Sequence, residues 1–297
     1  MAYKKILKQL CPPIIIKLIE LIKCQRANFQ QSPLPQVKHN SDKIIIIGNG
    51  PSLNTSIDLY LNEIKGNDRI AVNFFASSDY YELLKPNFYV FADPAFFYIP
   101  ENQRHSIEFL FYNILTKTNW PLQIIIPLSA KGAPSIIHLH ENNNIKIDYY
   151  FDGNQKYATK KMSRFEAWNY NYIAPPVQNV LNLALYLAIY WQYNEIYLIG
   201  ADSSFLEDIY VDQTTNEIFT IDTHFYKRER VYKDKDLFDR IKGRNRSNRT
   251  MHDLIYKHGK MFEYYYDLKK YAEYRGVKVY NASEYSWINV FERKKIK

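Results

Sequence analysis

The sequence has little cysteine and no long apolar run, and each absence excludes a class of protein. Its 297 residues include two cysteines, Cys11 and Cys24, which provide neither a disulfide framework nor a cysteine-based zinc site. No run approaches the roughly 20 apolar residues of a membrane-spanning helix. The first residues also lack the uninterrupted apolar stretch and small-residue cleavage site of a signal peptide. These features predict a protein of the reducing cytoplasm.

The composition excludes further classes of protein. Hydrophobic residues make up 46% of the chain, which is enough for a substantial core and excludes disorder along the whole length. The length suits one large α/β domain with attachments. The formal charge of +8 suits an anionic ligand, a membrane surface or nucleic acid. Aromatic residues reach 16%, a bias that an AT-rich genome or stacking on carbohydrate would explain.

The stretch KIIIIGNGPS, residues 43–52, is the strongest local signal. Four consecutive isoleucines are too apolar for an exposed edge, so they predict a central parallel strand buried on both faces. Glycines in the turn that follows permit a close backbone approach, and unpaired N–H groups there can hold a phosphate. An ordinary strand-to-helix turn favours the same residues, and neither the dinucleotide fingerprint nor the P-loop pattern is complete. The turn consists of Gly48, Asn49, Gly50, Pro51 and Ser52.

Strands and helices alternate along the rest of the chain. We predict strands at 69–75, 86–91, 122–127, 145–151, 195–200 and 277–280, a buried helix at 177–193, and a helix at 261–274 that Gly276 ends. Polar residues close three of these strands, namely Asn73, Asp93 and Asp202. Doubly wound sheets bind ligands at such strand ends, although a turn or capping role is commoner for Asn73 or Asp93 alone. The pattern predicts an α/β fold with a doubly wound, mostly parallel sheet.

The periodicity disappears between residues 206 and 250. Either a flexible lid over a phosphate or a solvated surface loop would have this composition. Three of the seven histidines follow the strand that ends at Asp202, and they are His224, His252 and His258. The basic cluster in this stretch consists of Arg240, Lys242, Arg244, Arg246 and Arg249.

Residues 1–42 form a separate segment. From Pro13 to Arg26, isoleucines and leucines leave the lysines on a narrow stripe, the pattern of a basic amphipathic helix that lies on anionic lipid. A helix packed on the domain or on a second subunit would show the same pattern. Residues 28–42 then have the composition of a polar linker. We therefore expect residues 1–42 to attach a domain of residues 43–297 to the inner face of the membrane, or to a second copy of the chain.

Several motifs in register resemble a known family. A strand leading into GNGPSL, a strand ending in Asn73 and two aromatics, a strand ending in Asp93-Pro94, and a buried helix leading into EIYLIGAD are similar in order and spacing to the bacterial lipooligosaccharide sialyltransferases. The second half also resembles the MptE-like family, which includes the motility-associated flagellin glycosyltransferases. The matching residues there are Gly200-Ala201-Asp202, His224-Phe225 and the final 276–283. The resemblance covers about residues 43–292.

This resemblance implies a GT-A-like Rossmann fold and a glycosyltransferase. The family uses a CMP-activated sugar, such as sialic acid, without a metal or other cofactor. The expected acceptor is a hydroxyl of a bacterial surface glycan, in lipopolysaccharide, in capsule or on a lipid-linked oligosaccharide. With the basic N-terminal segment, we expect a cytoplasmic enzyme that is peripheral on the inner membrane.

The family's site residues carry over onto matching positions. The turn 48–52 would meet the phosphate and ribose of the nucleotide, and Asn73 matches an asparagine at the donor and acceptor site. Asp93 falls where the sialyltransferases have asparagine. The helix start at Gln178 and Asn179 would bind nucleotide, and Asp202 matches the acid at the strand end. Ser204 stands in place of a tyrosine that holds donor phosphate, and Tyr210 is the candidate to replace that tyrosine.

Glycosyl transfer needs protein groups that stabilise the leaving phosphate and a base that accepts the proton of the acceptor hydroxyl. No Asp-x-Asp pair follows a predicted strand, so we expect a metal-independent enzyme. Histidine suits the base because its unperturbed pKa lies near neutrality. His258 lies just before the predicted last helix, where the sialyltransferases have their histidine, while His224 has the stronger match to the MptE-like group. Asp93 is the alternative.

Two other functions remain open. MptE-like pyrophosphokinases share the fold and transfer pyrophosphate from ATP with Mg²⁺, for which Asp93 and Asp202 would be the ligands. A non-enzymatic protein that binds nucleic acid through the basic loop is the second alternative, although no recognised nucleic-acid module is present.

Removal of residues 1–26 should release the protein from anionic liposomes, because the lysines and isoleucines that would contact lipid are then absent. Cosedimentation of the full-length and truncated proteins with phosphatidylserine vesicles measures the effect. Catalysis on soluble acceptors should remain largely intact. Equal liposome binding by the two proteins would contradict the prediction.

Overall fold

The computed structural model describes residues 37–99, 103–152, 164–169, 177–232 and 250–297, together with Ile15 and Leu34. The amphipathic helix expected near the N-terminus therefore lies almost wholly outside the described residues, and so does the basic cluster at 240–249. No helix in the described ranges is long and apolar enough to cross a membrane.

Parallel strands and covering helices make up most of the described chain. The strands of the main sheet are β1 (Lys43–Ile47), β2 (Asp68–Val72), β3 (Phe88–Val90), β4 (Leu122–Pro127), β5 (Ile145–Tyr150), β6 (Glu195–Ile199), β10 (Lys278–Asn281) and β11 (Glu292–Arg293). A second sheet contains β7 (Ile209–Val211), β8 (Ile218–His224) and β9 (Lys227–Tyr232). The helices are α1 (Leu53–Lys65), α2 (Tyr80–Leu84), α3 (Arg104–Lys117), α4 (Pro134–Ile137), α5 (Arg164–Asn169), α6 (Val180–Tyr190) and α7 (Met251–Arg275).

Strand β1 lies at the centre of the main sheet, as its sequence predicts. It pairs with β2 on one side and β6 on the other, both in parallel. Its four isoleucines are 0% exposed. Because side chains alternate along a strand, Ile44 and Ile46 pack on one face with α6 and α7, and Ile45 and Ile47 pack on the other with α1 and α3.

The order of strands determines where a ligand can bind. Across the main sheet the order is β11-β10-β6-β1-β2-β3-β4-β5, and its neighbouring pairs are all parallel. The chain winds outward from β1 to β5 and then returns to β6 on the opposite side of β1. Helices cover both faces, so the predicted doubly wound α/β fold is confirmed. The winding reverses between β1 and β6, and ligands bind doubly wound sheets beyond the carboxyl ends of the strands at such a point.

Two expectations about the second half were wrong. Residues 209–232 form the antiparallel sheet β7-β8-β9, where the sequence indicated a polar loop, because the charges of KRERVY hid the strand pattern. Helix α7 begins ten residues earlier than expected, since Thr250 and Asp253 form a capping box at its start. His258 therefore lies inside this helix and not before it. Gly276 ends the helix at a φ of 70°, as predicted.

Candidate active site

The turns after β1 and β6 are packed directly against each other. The N–H groups of Gly48 and Gly50 donate to the carbonyl oxygens of Ile199 and Gly200, both at 2.8 Å. A Cβ on Gly48 would lie 2.3 Å from the Gly200 oxygen, and a Cβ on Gly50 would lie 2.0 Å from Oδ1 of Asp202. Such approaches are impossible for other residues. The glycines of the first turn are therefore required for contact with the second turn, whatever they do for a ligand.

Asp202 joins the two turns through its carboxylate. Oδ1 accepts a hydrogen bond from the Ser52 hydroxyl at 2.7 Å, and Oδ2 accepts one from the Ser52 N–H at 3.0 Å. Asp202 is 5% exposed. Burial raises its pKa above the ordinary value, and the two bonds from Ser52 oppose that rise. Ser52 thus uses both donors on Asp202, while the neighbouring Pro51 is exposed.

Asn49 and Asn73 have side-chain oxygens that are buried without a hydrogen-bond partner among the described residues. Asn49 is fixed by its other groups, because Nδ2 donates to the Val72 oxygen at 3.0 Å and its carbonyl oxygen accepts from the Phe225 N–H at 3.1 Å. Asn73 directly follows β2 and has a φ of 48°. The two unpaired oxygens lie at the carboxyl ends of adjacent strands, beside the point where the winding reverses.

The start of helix α6 lies at the same edge of the sheet. Asn179 caps the helix, since its Oδ1 accepts from the Asn182 N–H at 2.8 Å and its Nδ2 donates to the Tyr265 hydroxyl at 3.3 Å. Burial raises the pKa of Tyr265 to about 12, and the nearby polar groups of Asn179 and Ser203 lower it. The preceding residue, Gln178, is half-buried. The expected nucleotide-binding role of Gln178 and Asn179 stays a prediction.

Sequence reasoning missed Asn182, in the first turn of α6. It is 0% exposed, and neither polar atom of its side chain has a partner in the described part of the chain. A buried unpaired polar group costs about 1–3 kcal/mol. The available signal was one asparagine within the apolar run VLNLALYLAIY.

The candidate bases lie on two different elements. His224 ends β8, and its ring stacks on Tyr226 with centroids 5.2 Å apart. The next residue, Phe225, bonds to Asn49, so His224 is one residue from a contact with the first turn. His258 stacks on Phe205 at 5.3 Å, and Phe205 follows the second turn. His252 is exposed and stacks on Tyr256.

The remaining predicted residues have local structural roles. Asp93 is exposed, and its Oδ1 accepts from the Ala95 N–H at 2.9 Å, which caps a short 3₁₀ turn. Ser204 precedes a second such turn, Phe205–Asp208, and its carbonyl oxygen accepts from the Glu207 N–H. Tyr210 stacks on Phe219 within the antiparallel sheet at 5.3 Å. In the described ranges no three His, Cys, Asp or Glu side chains are grouped so as to hold a metal ion.

A surface cavity of about 340 Å³ lies apart from these residues. It is lined by His39, Trp191, Gln192 and Arg275, among others. These residues lie before β1, after α6 and at the end of α7. It is therefore at the amino ends of the strands. The Arg275 guanidinium there already donates to Asn169 and to the Tyr190 carbonyl oxygen. The cavity contains none of the predicted site residues.

The chain has weak structural similarity to known proteins and no match by sequence. No family model matches the chain, and no curated protein matches its sequence. Among solved structures, it is similar to the MAf glycosyltransferase from Magnetospirillum magneticum AMB-1, with 14% identity and a TM-score of 0.48. The similarity covers 89% of this chain and 34% of that chain, so this chain spans about a third of that enzyme. A similarity this weak assigns neither a family nor an activity.

Gly50→Ala should destabilise the protein, because the new methyl group would collide with Asp202 and force the two turns apart. Overpacking of this kind costs about 1–3 kcal/mol. Gly259→Ala is the matched control, since nothing lies within 4 Å of a Cβ there and alanine stabilises a helix interior by about 0.5–1 kcal/mol. Urea unfolding measures both free energies. Equal stability of the Gly50→Ala and wild-type proteins would show that the turns are not in close contact.

Proposed function

We propose that the chain is a glycosyltransferase that takes its sugar from a nucleotide donor. The observation that carries the proposal is the pair of buried, unpartnered oxygens of Asn49 and Asn73 at the carboxyl edge of the sheet. Each would cost about 1–3 kcal/mol if it stayed unpaired, so we expect a ligand with hydrogen-bond donors at this edge of the sheet. Ribose hydroxyls and the amino group of a nucleobase are such donors, whereas an ionised phosphate is an acceptor.

The start of helix α6 suits the phosphates of the same ligand. Helix α1 begins directly after the first turn, and α6 begins at the same edge of the sheet. The N-terminus of a helix has free N–H groups and a positive partial charge, which together favour a phosphate. In this arrangement the nucleoside contacts Asn49 and Asn73, and the leaving phosphate is stabilised by the start of α6, because the Ser52 N–H before α1 already donates to the Asp202 carboxylate.

The hydrogen bonds that Asp93 and Asp202 make within the protein favour sugar transfer over the pyrophosphokinase alternative. Asp202 accepts two hydrogen bonds from Ser52, and Asp93 caps a turn. These are the two acids on which a magnesium site would depend, and both already have a structural partner. Sugar transfer that relies on a helix end and a protein base needs no metal ion, so it leaves the hydrogen bonds of both acids intact.

The finer assignment rests on the sequence resemblance. We propose a CMP-linked sugar, sialic acid or a related one, as donor, and a hydroxyl of a bacterial surface glycan or lipid-linked oligosaccharide as acceptor. A histidine, His224 or His258, removes the proton of the attacking hydroxyl. The N-terminal segment would hold the enzyme on the inner membrane, where such acceptors are assembled.

Nucleotide binding tests the proposal and can be measured without the acceptor. CMP, UDP, GDP and ATP are each added with and without EDTA, and the unfolding midpoint is recorded. Binding at 100 times the dissociation constant stabilises by about 2.7 kcal/mol, so one nucleotide should raise the midpoint in EDTA. A shift with ATP alone that EDTA abolishes would instead favour the pyrophosphokinase.

The variant Asn73→Gly tests whether Asn73 contacts the nucleotide, and Asn216→Gly is its matched control. Both residues have a positive φ, 48° and 56°, which glycine adopts readily, and Asn216 lies in an exposed turn of the second sheet. Loss of the Asn73 oxygen should weaken nucleotide binding about tenfold, or about 1.4 kcal/mol. Isothermal titration calorimetry measures the affinity. If the two variants bind equally well, Asn73 does not contact the nucleotide.

Replacement of the catalytic base should lower turnover with little effect on nucleotide affinity. A positioned general base contributes about 100- to 10,000-fold, so His224→Ala or His258→Ala should reduce kcat by at least about 100-fold. His138→Ala is the control, because that side chain is 72% exposed and pairs with Glu141. Turnover is measured with the donor whose nucleotide the midpoint screen identifies. Near-normal turnover of both variants would exclude His224 and His258 as the base and make His252 or Asp93 the candidate.

A further inference from the structure

A group of exposed aromatic side chains lies beside the proposed donor site, on the loop that follows β10. Tyr285 is 47% exposed and Trp287 is 36% exposed. Both donate to the same atom, Oε1 of Glu207: Tyr285 through its hydroxyl, and Trp287 through Nε1 at 3.1 Å. Trp287 Nε1 also lies 3.0 Å from the Tyr285 hydroxyl. We call Tyr285, Trp287 and Glu207 together the aromatic platform.

The platform is fixed to the second turn by hydrogen bonds from the backbone and the serine side chains of its own loop. The Trp287 N–H donates to the Asp202 carbonyl oxygen at 2.7 Å, and the Ser286 hydroxyl donates to the Ala201 carbonyl oxygen at 2.7 Å. The Ala201 N–H donates to the Ser283 hydroxyl at 3.0 Å. The two rings are therefore held in place while much of their surface is exposed to solvent. A rigid aromatic surface loses little conformational entropy when a ligand stacks on it.

The same short turn connects the platform to a candidate base. Glu207 belongs to the turn Phe205–Asp208, and Phe205 stacks on His258 with an interplanar angle of 16°. The platform is thus connected through one short turn to the helix that carries His258, and through its own loop to Asp202. This is the arrangement expected of an acceptor site, which must present a hydroxyl to both the base and the donor.

The charge of the platform indicates which of the two substrates, nucleotide donor or sugar acceptor, binds there. Glu207 lies close enough to Asp202 to raise the pKa of that acid, and its hydrogen bond raises the pKa of the Tyr285 hydroxyl. A second negative charge would be repelled here, which disfavours the phosphates of a nucleotide. A neutral sugar suits the surface better, because the C–H face of a pyranose packs on aromatic rings and its hydroxyls donate to a carboxylate.

We propose that Tyr285, Trp287 and Glu207 bind the acceptor, as a neutral pyranose ring stacked on the two aromatic side chains. This inference rests on the proposed glycosyl transfer, since it assigns the acceptor site of that reaction. It also defines a specificity: neutral hexopyranosides should bind, and anionic sugars should bind less well. The three residues are positioned by contacts between the ends of β6 and β10.

The tryptophans of the protein provide a direct assay. Trp287 is 36% exposed, whereas Trp120, Trp168 and Trp191 are exposed by 9%, 2% and 7%. Acrylamide should therefore quench mainly Trp287, and Trp287→Phe should remove most of the quenchable fluorescence. Methyl glucoside, methyl galactoside, N-acetylglucosamine, lactose and cellobiose are titrated into the full-length protein without nucleotide. At least one of these sugars should protect Trp287 from acrylamide in a saturable way.

Two variants and a control then locate the sugar. Tyr285→Ala and Glu207→Gln should each weaken the protection about tenfold, a loss of about 1.4 kcal/mol, because one loses a stacking surface and the other the charged acceptor. Tyr112→Ala, which removes a 61% exposed tyrosine on α3, should leave it unchanged. An unchanged nucleotide-induced shift of the unfolding midpoint shows that each variant is folded.

The outcomes separate this inference from the proposed function. If a nucleotide raises the unfolding midpoint but no sugar protects Trp287, or if Tyr285→Ala and Glu207→Gln bind sugar like wild type, the acceptor platform is wrong and the transferase proposal stands. Protection by a nucleotide alone would make the platform part of the donor site and likewise overturn the inference. Sugar binding without any nucleotide binding would overturn the acceptor assignment together with the proposed function.

Discussion

The close approach of the turns after β1 and β6 is the constraint on which the candidate site depends. The N–H groups of Gly48 and Gly50 bond to the end of β6 at 2.8 Å, and a side chain on either residue would collide with Gly200 or Asp202. The Asp202 carboxylate completes the contact by accepting both donors of Ser52. Because β1 and β6 are also paired along their whole length, the two strand ends are held in a single arrangement.

This contact divides the polar residues of the site into two groups. Ser52 and Asp202 satisfy each other, so their hydrogen-bonding capacity is largely used within the protein. Asn49, Asn73 and Asn182 retain buried polar atoms that have no partner among the described residues. Stable proteins pair most buried polar groups, and these three asparagines lie at the carboxyl ends of β1 and β2 and at the start of α6. Single unpaired side-chain atoms are also buried at Arg69, Ser77, Ser135 and Ser203. The paired residues build the site, and we propose that unpaired ones bind the donor.

The same contact also organises the loop after β10. Ser283, Ser286 and the Trp287 N–H all bond to the backbone at Ala201 and Asp202. The proposed donor site and the aromatic platform therefore share one support, and a change that displaced Asp202 would move both. Such coupling through a shared rigid element is a physical reason for donor and acceptor to remain in register during a transfer that requires close alignment.

The sequence by itself determined the local elements and, through them, the fold class. Four consecutive isoleucines are removed from water only when both faces of their strand are covered, so β1 had to be central. Gly276 had to end α7 because it adopts a positive φ. The tertiary structure decided the contacts that make the site. Ser52 and Asp202 are 150 residues apart, and Glu207 and Tyr285 are 78 apart. No local pattern fixes such distances, since they follow from the winding of the chain around β1. The role of Gly50 shows the same limit: its sequence context indicated room for a phosphate, whereas the folded chain places a carboxylate against it.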